Sequence, residues 1–270
     1  MHTAEIVRVW EQGDGRPPVE RALLALAVWR PEATWQELAS LPLGERNRWL
    51  LALHTELAGP ALQCRVTCSA CGAPLELAVR TSDLLAHWAQ SDSTAPPPDR
   101  AAQDTGAERE LSIGGYRVHY RPLTSLDLAA AAAAPDVEQA RWRLIERCVL
   151  SAWSLVVRRP TAADGEQTTR LVRVAPRSLP ARVVRALAEA LAESDPLADP
   201  AIRVVCGECG GAFRPPIDVV GLVWSALGWL ARQAIEDVHT LAAAYGWSEA
   251  DILAMAPRRR QLYLDRLASA

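Results

Sequence analysis

The chain of 270 residues contains no lysine and only one phenylalanine. All 29 of its basic residues are therefore arginine, and alanine is abundant beside ten tryptophans. This bias is typical of a GC-rich genome, so arginine and alanine content carries little functional meaning. Neither charge sign is in excess: 29 basic against 32 acidic residues leave a net charge of −3. That balance excludes a general nucleic-acid coat and an acidic tail. The longest nearly uncharged apolar run, Val219 to Ala231, is too short to span a bilayer. Met1 to Gly15 lacks the basic-then-apolar layout of a signal peptide. A cytoplasmic globular protein of one large or two small domains is the expectation.

Recognisable catalytic constellations are also missing. There is no glycine-rich phosphate loop, no Gly-x-Ser-x-Gly elbow and no His-Glu-x-x-His helix. The five histidines are scattered, with His2 expected to be disordered, His54, His87 and His239 on helices, and His119 on a strand. A non-enzyme without a small-molecule substrate is expected.

Cysteine is what the chain does have in a pattern. Four of its six cysteines form two Cys-x-x-Cys pairs, Cys68/Cys71 and Cys206/Cys209, each followed at once by glycine. In a reducing compartment such pairs do metal or redox chemistry. Two intervening residues let a tight turn aim both sulfurs at one ion, and glycine takes the positive φ that closes the turn. A thioredoxin-like pair would open a helix after a strand, whereas short strands flank both pairs: Ala61 to Thr67 with Ala73 to Val79, and Ala201 to Val205 with Gly211 to Pro215. Cys64 and Cys148 read as plain buried thiols.

The second pair follows the first at a constant offset of 138 residues (68 to 206, 71 to 209), and Ser40-Leu41-Pro42 recurs at Ser178-Leu179-Pro180 with that offset. An ungapped match of 40–85 onto 178–223 holds 11 identities in 46 positions. The expected fold is α+β: a duplicated unit of helix, zinc-knuckle β-hairpin and helix about a pseudo-twofold axis, with a helical carboxyl-terminal tail. Its expected divisions are 1–90, a flexible Pro-, Ser- and Asp-rich linker at 91–110, 111–246, and the tail 247–270. Three arrangements of the cysteines are open. They close one structural zinc site of four thiolates; they form separate sites completed by Cys64, His54, His87 or His239; or they bind no metal.

Further elements can be placed. Leu111 to Arg121 alternates about Gly114-Gly115 as a tight hairpin, and a second hairpin is expected about Asp164-Gly165. Thr124-Ser-Leu-Asp127 and Ser248-Glu-Ala-Asp251 are capping boxes. A long helix should run from Asp218 to Ala244 and stop at Gly246, and a last one should start at Pro257. The tail carries Trp247, Ile252, Leu253, Leu262 and Tyr263 as candidate partner contacts, with Arg258, Arg259 and Arg260 as the one basic cluster. It either folds back on the body or docks into another subunit.

With these residues assembled, the chain resembles proteins of contractile phage tails and related contractile injection systems, similar to baseplate hub assembly chaperones. The resemblance rests on Glu20 to Ala27, Leu41 to Arg46, the two knuckles, and the segment Val238 to Leu264 (VHTLAAAYGWSEADILAMAPRRRQLYL). Family members commonly carry proline at the second knuckle position, where this chain has Ser69 and Gly207. The resemblance implies a non-enzymatic role in building a baseplate, as a departing chaperone or a lasting component, with baseplate or hub proteins as partners. A zinc-ribbon nucleic-acid-binding regulator is the rival reading, opposed by the acidic balance. An enzyme with a reactive cysteine pair ranks third.

Overall fold

The structure is a computed structural model that describes residues 1–91, 108–158 and 168–269. In chain order the elements are α1 (Thr3–Gly13), α2 (Pro18–Trp29), α3 (Trp35–Ser40) and α4 (Leu43–Ala58). Then come β1 (Ala61–Thr67), β2 (Pro74–Arg80), α5 (Thr81–Ser91), β3 (Arg109–Ile113) and β4 (Tyr116–Tyr120). Next follow α6 (Ser125–Ala132), α7 (Val137–Cys148), β5 (Val149–Arg158), β6 (Thr168–Arg173) and, after a 3-10 turn, α8 (Ala181–Ser194). The chain closes with β7 (Val204–Val205), β8 (Ala212–Phe213), α9 (Val219–Tyr245), α10 (Glu249–Ala254) and α11 (Pro257–Ala268). Of the described residues, 57% are helical and 19% extended, an α+β composition.

These elements gather into two compact units that do not follow the sequence halves. One comprises Met1–Leu38, Arg48–Asp83 and Ala201–Ala270, the other Ala39–Asn47 and Leu84–Pro200. Most of the expected linker, together with the Asp164-Gly165 loop and the side chain of His87, lies outside the described residues.

In the first unit α9 is the spine. Asp218 caps it by accepting from the Gly221 amide (2.9 Å), and it stops at Gly246, whose φ of 68° lets its N–H return to the Ala242 carbonyl. Helix α1 lies along it. The absence of a side chain at Gly13 admits the Trp224 ring, and Gly228 makes the same allowance for Trp10. Val9, Leu26, Leu227, Leu241 and Ile252 are fully buried there, each leucine or isoleucine contributing about 1.5–3 kcal/mol by leaving water. His2, expected to be disordered, is instead the residue that starts α1, its N–H donating to the Glu5 carboxylate (2.7 Å). That bond satisfies an amide the helix itself leaves open.

The two hairpins of this unit differ in length. Strands β1 and β2 pair antiparallel over seven residues, from Ala61 opposite Arg80 to Thr67 opposite Pro74. Strands β7 and β8 pair over two residues, with one further bridge between Ala201 and Pro216. This is shorter than the expected runs 201–205 and 211–215. Pro215 accepts from the Ile202 N–H (3.3 Å) but has no N–H to return, so the ladder thins there to the single bridge beyond it.

The second unit is built on an antiparallel sheet ordered β3-β4-β5-β6. Gly114 and Gly115 take φ of 56° and 79°, the twist a two-residue hairpin needs. Val118, Tyr120, Val149 and Ala152 of the sheet share one core with Ile145 and Cys148 of α7 and Val183, Val184 and Leu187 of α8. The capping box at Thr124 is present: Asp127 accepts from the Thr124 amide (2.9 Å). Strands β5 and β6 pair from Trp153 opposite Arg173 to Arg158 opposite Thr168, giving the second expected hairpin its two arms.

Candidate metal centre

Each Cys-x-x-Cys pair sits in the turn of a hairpin of the first unit, and the two turns are bonded alike. Cys68 N–H donates to the Ala73 carbonyl and Gly72 N–H to the Cys68 carbonyl, both at 2.9 Å. Cys206 N–H donates to Gly211 and Gly210 N–H to Cys206, again both at 2.9 Å. Gly72 and Gly210 have φ of 75° and 69°, where a side chain would clash with the backbone. In each turn the first cysteine is buried and the second exposed.

The turns present their sulfurs to one another. Cys68 Sγ is 3.8 Å from Cys209 Sγ, and Cys71 Sγ is 3.7 Å from Cys206 Sγ. All four sulfurs lie within 4.8 Å of each other. The buried thiol of one turn thus faces the exposed thiol of the other in both pairings. Gly211 stands beside them: a Cβ there would come within 3.3 Å of Cys209 Sγ and 3.7 Å of Ala70 Cβ. The double glycine Gly210-Gly211 keeps the approach open, a reason for the second glycine that sequence reading overlooked.

Electrostatics divides the four thiols. The amides of Cys71 and Ala70 point at Cys68 Sγ, favour its thiolate and bring it down to about 7. The Ala73 amide works in the same direction on Cys71, but its contacts with Cys209 and Cys68 prevail and push it up to about 12. One thiolate forms easily and the next is opposed by it. A cation among the sulfurs removes that opposition, so the donor set suits a metal ion.

Other candidate ligands are elsewhere. Cys64 is buried on β1, where burial raises its thiol. Cys148 is buried at the end of α7, and desolvation pushes it up to about 11. His54 is buried with Nδ1 3.2 Å from the Gly59 carbonyl, and burial lowers its pKa. His239 is exposed on α9. Among the described residues, the group able to hold a metal is Cys68, Cys71, Cys206 and Cys209.

The tail folds back within the same unit, α10 and α11 packing on α9 and α10 also on α1. Two of its expected partner contacts are thereby spent inside the chain. Ile252 is fully buried, and Arg260 is 4% exposed. Arg260 Nε reaches the Asp237 carboxylate (3.3 Å) and Nη1 the Met255 carbonyl (3.3 Å). The arginine triplet is not one solvated face, because successive helical residues point about 100° apart and the third faces α9. Trp247 stacks on Tyr245 at 4.5 Å, and Tyr263 meets Trp247 edge-on at 4.9 Å. Leu253 is half-buried, whereas Leu262, Arg258 and Arg259 are exposed. Compared with protein-family models, curated proteins and solved structures, the chain matches none.

Proposed function

We propose that this chain is a non-enzymatic assembly factor or structural component of the baseplate of a contractile phage tail or contractile injection system. On this reading it acts in the cytoplasm through contacts with baseplate or hub proteins and is stabilised by one structural zinc ion. The observation that carries the zinc is the crossed sulfur geometry. Tetrahedral zinc with bonds of about 2.3 Å to thiolate sulfur has sulfur–sulfur edges of about 3.8 Å, against 3.8 and 3.7 Å for the two crossed pairs. Four protein sulfurs fill the tetrahedron and leave no position for water or substrate, which favours a structural role over a catalytic one.

The same geometry favours a duplicated ancestry for 40–85 and 178–223. In a pseudo-twofold pair, a contact between Cys68 and Cys209 has its mate between Cys206 and Cys71, and both are present at nearly equal distance. The order of helix, hairpin and helix also recurs, in α4, β1, β2 and α5 and then in α8, β7, β8 and α9. The baseplate role rests on the resemblance carried by Val238 to Leu264. The rival nucleic-acid reading loses support, since the one basic cluster has Arg260 buried against Asp237.

Two measurements test the proposal. Elemental analysis of freshly purified, reduced protein should find one zinc per chain; absence of metal would remove the zinc. Deleting the gene from its host machine should leave tails without assembled baseplates in negative-stain micrographs. Intact, contractile tails would overturn the assembly role.

A further inference from the structure

Strand β6 ends the four-stranded sheet, so one side of its backbone has no strand partner among the described residues. The phase of the ladder follows from Val174 N–H, which donates to the Ala152 carbonyl at 2.9 Å. By alternation, residues 172 and 174 turn their backbone groups toward β5, while Leu171 and Arg173 turn theirs out of the sheet. Leu155 N–H, which donates to the Gly115 carbonyl on the β4 side at 2.6 Å, agrees with this phase.

The side chains around this edge are apolar on both faces of the ribbon. Leu155 and Leu171 are register partners, 44% and 43% exposed, and on the opposite face Val156 and Val172 are 47% and 41% exposed. Arg170 and Arg173 flank Leu171 and Val172 along β6, both exposed. No carboxylate occurs in residues 168–173. An open edge with apolar faces is a template for a further strand, and its two arginines set the charge that strand must carry.

We propose that β6 is a docking edge for an extended segment of a partner protein that reads acidic, apolar, apolar, acidic opposite Arg170, Leu171, Val172 and Arg173. Main-chain hydrogen bonds to the outward groups of Leu171 and Arg173 supply affinity. The four cross-strand side-chain pairs supply selection, two by charge and two by apolar contact on alternate faces. The pattern reads the same in both directions, so parallel and antiparallel docking satisfy it equally. Past Arg173 the edge meets a cleft of about 400 Å³ whose walls include Leu150, Val174 and Pro176, room for an apolar side chain of the incoming segment. A second copy of this chain does not fit, because no four successive residues of it read acidic, apolar, apolar, acidic. The inference rests on the sheet alone and is independent of the metal centre.

The test is fluorescence anisotropy of the full chain with the labelled peptide Ser-Thr-Glu-Val-Val-Glu-Thr-Ser. Saturable binding that weakens with salt is expected. Replacing Arg170 and Arg173 together by glutamate should weaken it about tenfold or more and transfer preference to the Lys-Val-Val-Lys version of the peptide. Leu171→Pro deletes an outward amide while sparing those that face β5, and should abolish binding with an unchanged circular dichroism spectrum. Should that variant fail to fold, a peptide N-methylated at its valines reads the same backbone contact on the wild-type chain. Equal binding of the Glu, Lys and shuffled Glu-Glu-Val-Val peptides, undiminished binding of the methylated one, or no saturation would overturn the proposal.

Discussion

Cys68 Sγ lies 3.8 Å from Cys209 Sγ although 141 residues separate them in the chain. One ion shared by the four sulfurs, as proposed, would make each knuckle depend on the other, so a lesion in either should release all of the metal. Cys71→Ser and Cys209→Ser are expected each to lose the whole of the bound zinc rather than half. Losing a structural ion should cost about 3 kcal/mol or more, a fall in Tm of roughly 10 °C, and excess chelator should reproduce it on the wild-type protein. Retention of half the metal in either variant would mean that the knuckles bind separately.

Two buried aspartates of the second unit should respond to pH with opposite sign. Burial works against the Asp127 anion, but Arg121, the Thr124 amide and Arg147 outweigh it and hold the carboxyl at about 2. Its pKa is lowered on folding, so its contribution is fully present above the ordinary carboxylate range and is lost as pH falls toward 2. Asp127→Asn should cost about 2–3 kcal/mol near pH 7, less than a fully buried pair because both arginines reach solvent, with the deficit fading between about pH 4 and pH 2.

Asp195 is the converse case. Burial raises its pKa even though it accepts from the Gly44 amide (3.0 Å) at the start of α4. A raised carboxyl stabilises at low pH and loses that contribution as pH rises through its folded value. Asp195→Asn, whose amide oxygen still accepts from Gly44, should leave Tm unchanged or raise it near pH 7, and any gain should vanish on acidification. Gly44→Ala should be severely destabilising, since a Cβ there collides with the Asp195 carboxylate. Thermal melts of these variants across pH separate the two aspartates.

The legible parts of the fold were those with local causes. Glycine at positive φ marked both knuckles, the Gly114-Gly115 turn and the end of α9, and capping residues marked α6 and α10. The cysteine group able to hold a metal was legible because its two Cys-x-x-Cys pairs share one spacing. What local pattern does not encode is which distant segment fills a given space. Asp195 capping α4 across 151 residues and Arg260 turning inward to Asp237 follow from packing. Two local signals were passed over: Thr34-Trp-Gln-Glu37 is a capping box that starts α3, with Thr34 N–H donating to the Glu37 carboxylate (2.8 Å), and Pro18 opens α2. The short β7–β8 ladder reflects Pro215, weighed too lightly.

Thiol reactivity offers a reading of burial free of any metal. Cys148 is buried at the junction of α7 and β5, its thiol pushed up to about 11, chiefly by desolvation. The thiolate is the nucleophile, so Cys148 should resist iodoacetamide at neutral pH until the second unit unfolds. In chelated, reduced protein Cys209 is exposed and accessible, and Cys68, held at about 7, carries thiolate at that pH. Mass spectrometry of the labelled peptides should find Cys148 modified after both of these. Early modification of Cys148 would contradict its place in the core.

The Arg258-Arg259-Arg260 triplet separates a structural arginine from two solvent-facing ones. Arg260 is almost wholly buried and its Nε lies 3.3 Å from Asp237 Oδ2, while Gln233 Nε2 donates to Oδ1 of the same carboxylate at 3.2 Å. Removing the guanidinium leaves a buried carboxylate short of a cation, and such breaks typically cost about 3–5 kcal/mol. Arg260→Ala should therefore detach α10 and α11 from α9, seen as faster amide exchange across 249–268 and at the residues of α1 that α10 covers. Arg258→Ala and Arg259→Ala should leave exchange nearly unchanged, Arg259 giving up only a weak contact over the Tyr263 ring at 6.0 Å. Removing the carboxylate as well, in Arg260→Leu with Asp237→Leu, should recover much of the loss, because an apolar pair of similar size needs no desolvated charge. If Arg260→Ala behaved like its two neighbours, the tail would be held by its apolar contacts at Ile252 and Trp247 alone.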